Sequence, residues 1–311
     1  MKKLFLTAGI LAFATISLFT SCKDEDMVAG TITTGDVTID QTEKDAAIDA
    51  TAQNVSQEST AAAVAAAAAT EEAGTKTNED GSTTVTDEAT TTTNADGSTT
   101  TTQNATTTAT DGSTETTTTQ TTTKENADGS TTVTKEATTS SSNSSNTTTT
   151  LTETNIATDQ VEGQLPTTTS TTTVTTTVKD EEGNVISEEE QTSKTTVSYQ
   201  YTYSVDGVNY ATEAEMLSAL SGKTTTATVV ITLVETTTTI GFDGKVTTTQ
   251  RVSTQTSIIE VPENTQTTTA VISYPTTIGV DPNGVSLTSS TVSVTIVPQV
   301  VNHSGGGSVR G

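Results

Sequence analysis

The chain has very little of what a large hydrophobic core or an active site is ordinarily built from. Across 311 residues aromatics amount to 3%, tryptophan is absent, and cysteine and histidine occur once each. One cysteine excludes an intrachain disulfide and leaves no thiolate set for a metal. The lone His303 stands beside Ser304 and a glycine run, so no Ser-His-Asp or Cys-His arrangement falls inside a folded frame. The acidic runs Asp180–Glu182 and Glu188–Glu190 read as solvated charge, not as an opposed acid/base pair. No enzyme, metal or cofactor is expected. Basic residues are scarce too: 13 Lys and Arg face 38 Asp and Glu, for a net charge of −25. That field disfavours nucleic acid as a partner. Apolar residues are 30% of the whole. The length would suit two domains, but that content supports one modest core and a long non-globular remainder.

What is present begins with Met1-Lys2-Lys3, followed by an uncharged, mostly apolar run from Leu4 to Phe19. The run is about 16 residues, short of the roughly 20 that a membrane-spanning helix needs, and has the layout of a secretory signal. Leu18-Phe19-Thr20-Ser21-Cys22 resembles a lipobox, and Lys23, Asp24, Glu25 and Asp26 resemble the acidic export signal of Bacteroidota lipoproteins. Phe19 departs from the commoner Leu. On these residues the chain resembles a Bacteroidota-type surface-exposed lipoprotein. That resemblance implies cleavage after residue 21 and acylation of Cys22. It also implies an outer-membrane location with the chain facing the cell exterior. The covalent lipid would be the only attached group, and the membrane the first partner. Each buried acyl CH₂ contributes roughly 0.8 kcal/mol to such attachment.

The expected fold class is mainly β with a long low-complexity region. After the signal peptide at 1–21, an acidic tether covers 22–39 and an Ala-rich helix covers 40–74. Asp40 and Glu43 match a capping box, Ala61 to Ala69 is almost pure alanine, and Gly74 is the expected stop. The helix reads either as a stalk base or as a marginal lone helix.

Residues 75–160 carry an imperfect repeat. Asn78-Glu79-Asp80-Gly81-Ser82 recurs as Asn94-Ala95-Asp96-Gly97-Ser98 and Asn126-Ala127-Asp128-Gly129-Ser130, and in shorter form as Asp111-Gly112-Ser113-Thr114, a spacing that fits one Asp-Gly turn and two short strands. Thr and Val favour extended backbone, yet only Val85 and Val133 interrupt Thr, Ser and Ala in these units. The segment therefore reads as a Thr-rich spacer, either disordered or a hydrated ribbon of hairpins. A calcium-loop reading fails by residue type: aligned on Asp128, the first and twelfth ligand positions hold Lys124 and Lys135.

Residues 161–300 read as a β-rich domain with one short helix. Val197, Tyr199, Tyr201, Tyr203 and Val205 alternate with polar residues, the period of a half-buried strand. Asp206-Gly207 predicts a tight turn, and Thr212 with Glu215 a capping box opening a helix that Gly222 ends. Further strands are predicted at 227–236, 246–258, 270–274 and 285–297, and residues 301–311 as a flexible tail. Tyr199, Tyr201 and Tyr203 are either core or a sugar-stacking platform. The functional expectation is a non-catalytic, lipid-anchored protein displaying a β domain to a host surface, a neighbouring cell or a glycan. The alternative is an envelope spacer with no specific ligand.

Overall fold

The computed structural model describes residues 30–161 and 163–302. The molecule is mainly β, its strands mostly antiparallel, with two helices among the described residues. The chain opens with β1 (Gly30–Ile39) and α1 (Gln41–Ala67), then the short strands β2 (Gly74–Thr77), β3 (Thr83–Thr86) and β4 (Thr90–Thr93). Five longer strands follow: β5 (Thr99–Thr108), β6 (Thr114–Glu125), β7 (Thr131–Ser141), β8 (Ser144–Asp159) and β9 (Thr167–Lys179). Next come β10 (Val185–Val205), β11 (Val208–Tyr210) and α2 (Glu213–Leu220). The chain closes with β12 (Ala227–Ile240), β13 (Val246–Ile259), β14 (Thr268–Pro275) and β15 (Ser289–Asn302).

Twelve strands form one sheet along the path β13-β12-β10-β9-β8-β7-β6-β5-β3-β2, with β11 added to β10 and β4 to β5. The remaining three form a second sheet in the order β1-β15-β14. The repeat segment is thus a ribbon of hairpins rather than disordered chain. It is also continuous with the tyrosine-bearing strands, since β8 and β9 pair from Thr147↔Lys179 to Asp159↔Thr167 with no break near residue 160.

The core lies where the small sheet packs over the β10-β12-β13 end of the large one. Val205, Val229, Ile231 and Ile259 meet Ile272, Tyr274, Val292, Val294 and Ile296, closed at the side by Met216 and Leu220 of α2. Helix α2 has the expected reciprocal capping box between Thr212 and Glu215. The turn before it places Asp206 at φ 52° and Gly207 at φ 80°, the paired positive values that a two-residue hairpin demands.

Several segments depart from their sequence reading. Residues 30–39, assigned to the tether, form β1, because Ile39 reaches the core and Val37 packs against it. Gly35 sits at a register shift in that strand, and a Cβ there would run into the Val297 carbonyl. Helix α1 ends at Ala67, not near Gly74, which instead opens β2. Asp40 caps α1 as expected, accepting from the Glu43 N–H at 3.0 Å. The Glu43 carboxylate accepts from the Ser293 N–H at 2.6 Å, so the second half of the expected box ties the helix to β15. The last strand starts at Ser289 rather than Val285 and continues to Asn302, two residues into the expected tail.

Helix α1 is neither a stalk base nor alone. It lies across one face of the large sheet and buries Ala47, Thr51, Ala52, Val55 and Ser59. Beneath it and alongside, Val133 and Ile156 of the repeat strands are buried, with Thr121, Thr131, Thr154 and Thr168. The helix covers β7, β8 and β9, which have few apolar residues to cover themselves.

Candidate functional site

Cys22, Lys23, Asp24, Glu25 and Asp26 lie outside the described residues, as does His303. The structure does locate the end of the described chain nearest to them. Gly30 pairs with Asn302 at one end of the small sheet, so both described termini leave the molecule side by side.

Tyr199, Tyr201 and Tyr203 come together on one face of β10, pointing toward α1 and α2. The Tyr201 ring meets Tyr274 edge to face, with centroids 5.2 Å apart. Its hydroxyl lies 2.6 Å from Thr51 Oγ1 of α1 and donates to the Pro275 carbonyl at 2.9 Å. The Tyr199 hydroxyl donates to Glu235 Oε2 at 3.2 Å. Glu235 is 6% exposed and is held by Arg251, whose Nε and Nη2 donate to its two oxygens at 2.7 and 2.8 Å. Tyr274 donates to Glu213 Oε2 at 2.9 Å, and Glu213 pairs with Lys44 of α1 at 3.2 Å. Burial pushes the Tyr203 phenol up to about 12, and burial raises Tyr199, Tyr201 and Tyr274 further. These hydroxyls stay protonated, and those of Tyr199, Tyr201 and Tyr274 act as donors that tie helices, small sheet and large sheet together.

Each repeat turn is a closed cage. Asp80, Asp96, Asp111 and Asp128 accept from both the N–H and the Oγ–H of the serine two residues on. In three of the four, an asparagine (Asn78, Asn94 or Asn126) donates to that serine and to the threonine two residues beyond it. The serine hydroxyl and backbone hold these carboxyls below the usual range. The Asp-Gly-Ser signal is accounted for by turn geometry. Among the described residues no group of three or more His, Cys, Asp or Glu converges on a point.

The face of the large sheet opposite α1 carries threonine interspersed with amides and isolated charges. The registers carry one row across it from Glu190 through Thr175, Leu151, Glu136 and Gln120 to Thr102. A second row runs from Lys194 through Thr171, Asn155 and Thr132 to Lys124. Neighbouring threonines bond in pairs, as Thr100 with Thr122 at 3.0 Å and Thr173 with Thr192 at 3.4 Å. Sequence reading missed this face because it has no motif; its signal is only the period of two in residues whose alternate positions are both threonine. On the helix side, an open groove of about 570 Å³ runs between the alanines of α1 and the strands, lined by Ala63, Ala66, Lys135, Thr150 and Thr172 among others. Its walls offer methyls, hydroxyls and one ammonium, with no carboxylate or imidazole. Lys135 Nζ donates there to the Ala69 carbonyl at 3.1 Å.

Among the described residues no helix is long and apolar enough to cross a membrane. Comparison with protein-family models, with curated proteins and with solved structures finds no match for this chain.

Proposed function

We propose that the chain is a non-catalytic, lipid-anchored protein of the outer membrane, held by acylated Cys22 and facing the cell exterior, that presents a broad hydroxyl-lined sheet to its surroundings. The observation that carries this reading is the pairing of Gly30 with Asn302. Both described ends leave from one corner, so the large sheet is free to extend away from a single point of attachment. Its open face mixes threonine hydroxyls, Gln and Asn amides, and separated Glu and Lys charges. That chemistry suits many weak hydrogen bonds to a hydrated polymer such as a glycan or a neighbouring cell coat, rather than one tight pocket.

The second reading is an envelope spacer with no specific ligand. It is favoured by the same face having its hydroxyls already paired with one another. Protease added to intact cells tests the location: loss of the chain from unbroken cells is expected, and full protection until lysis would overturn exterior display. A Cys22→Ala variant that stayed with the membrane would overturn the anchor. Binding of the full chain to glycan-coated surfaces separates the two readings, since silence favours the spacer.

A further inference from the structure

The two ends of the large sheet are open in complementary ways. At the β13 end, the Ser286 N–H reaches the Thr254 carbonyl at 3.0 Å from outside the sheet, so Thr254 turns its backbone groups outward. Alternate residues share that direction, and Val246, Thr248, Gln250 and Val252 therefore present N–H and C=O to an edge that no strand among the described residues covers. The whole run from Val246 to Val252 is exposed. At the β2 end, the Asn78 N–H bonds inward to the Ser82 carbonyl at 2.9 Å. By the same alternation Thr75 and Thr77 face outward, and all of β2 is exposed.

The outlines match as well. Beyond the open run, β13 is covered by the 279–287 loop, held by Ser253 Oγ to the Gly279 carbonyl and by Gln255 Nε2 to the Ser286 carbonyl, each at 3.1 Å. That loop projects as an extra edge segment. At the other end, β2 stands one strand beyond β3, while among the described residues β4 sits beside β5 with no strand outside it, leaving a step. Tracing the registers across the sheet puts β4 and the loop-covered half of β13 toward the same end of the strand axis. The ten strands from β13 to β2 alternate in direction, so β13 and β2 run opposite ways. A second copy displaced along the sheet would meet the first in antiparallel pairing, with loop facing step.

Charge agrees with this placement. Glu71, Glu72, Glu79, Asp80, Asp87 and Glu88 surround the β2 end, where Lys76 is the one base among them. The β13 run is flanked by Lys245 and Arg251; Asp243 lies in the adjoining turn and Glu235 is bound to Arg251. In a chain of net charge −25, two bases balanced by two acids leave this edge near neutral opposite an acidic one. Exposed strand edges are ordinarily blunted by charge or proline. The overhang of β10 is treated that way: its side beyond Lys194 is unpaired by β12, and it carries Glu188, Glu189 and Glu190. Val246-Thr247-Thr248-Thr249-Gln250 has no charge and no proline.

We propose that copies of this chain join head to tail, the β13 edge of one pairing with the β2 edge of the next, so that a single antiparallel sheet runs through successive molecules. Such a contact is heterologous and does not close, and it builds threads rather than dimers. It needs no lipid, and it stands whether or not Cys22 is acylated.

The test uses the full chain carrying Cys22→Ala, which removes lipid-driven association, examined by sedimentation and electron microscopy over rising concentration. The expected result is concentration-dependent threads in which each copy advances roughly 48 Å across the strands, ten strands at about 4.8 Å each. Thr248→Pro and Thr77→Pro each delete an outward N–H and spare the inner ladder, so each variant alone is expected to stay monomeric. Their equimolar mixture is expected to give dimers and nothing longer, because one good edge remains on each partner. A parent chain that stays monomeric throughout, a Thr248→Pro chain that assembles like the parent, or a single variant that dimerises through like edges would each overturn the proposal. Should circular dichroism show Thr248→Pro unfolded, Thr248→Glu sets a carboxylate against the acidic edge and is expected to weaken association about tenfold or more. Unchanged association of that folded variant would overturn the proposal equally.

Discussion

Tyr201 concentrates much of what holds the molecule together, because one hydroxyl serves both α1 through Thr51 and the small sheet through Pro275. Tyr201→Phe keeps the ring contact with Tyr274 and removes only the oxygen. Leaving those partners unsatisfied is expected to cost about 1–3 kcal/mol, read as a lower denaturant midpoint with an unchanged slope. The same phenols set an alkaline limit. Their folded pKa values lie above the ordinary value near 10, so the folded state keeps protons that the unfolded chain gives up. Stability from this source is complete below about pH 10 and is lost as pH rises through the folded values, the first of them Tyr203 at about 12. Above about pH 10 the denaturant midpoint is expected to fall, and tyrosinate absorbance from Tyr199, Tyr201 and Tyr274 is expected to appear together with unfolding. Absorbance rising well before the midpoint moves would contradict this account. The tyrosine alternation was legible because period two is a local property. The partners were not, since Thr51, Pro275 and Glu235 are remote in sequence.

At the scale of elements, α1 and the repeat strands depend on each other. The helix has an alanine-rich stripe too thin to fold alone, and the strands have too few apolar residues to bury. Val55 fixes the helix to the same sheet at the tyrosine-bearing strands, where it is fully buried in contact with Tyr199 and Leu233. Val55→Ala is expected to cost about 2 kcal/mol, from roughly 0.8 kcal/mol per buried CH₂ plus the cavity left behind. Hydrogen exchange should then quicken in β7 and β8 as well as in the helix; an effect confined to α1 would mean that the strands stand without it. The turns themselves were readable from Asn-x-Asp-Gly-Ser, because every bond in the cage falls within six residues. From β5 to β9 the strands pair in chain order, whereas β3 reaches past β4 to pair with β5. What escaped the sequence was the cover, since nothing in a run of alanines names the surface it will lie on.

For the whole molecule, continuity of pairing across β8 and β9 makes the repeats and the tyrosine-bearing strands one sheet. Limited proteolysis is therefore expected to leave one resistant fragment covering about 30–302. Early loss of residues 75–160, with survival of 161–300 alone, would show that the repeats are not held as described. Composition, charge, turn positions and strand period were determined by the sequence itself, because each depends on neighbours a few residues apart. Whether residues 30–39 became tether or strand was decided only in three dimensions, where Val37 and Ile39 find Ile296 and Val294 across the whole length of the chain. The same holds for the repeats: nothing in runs of threonine and alanine says that a helix 27 residues long lies over β7, β8 and β9, and burial is a property of where a surface ends up, not of the residues that carry it.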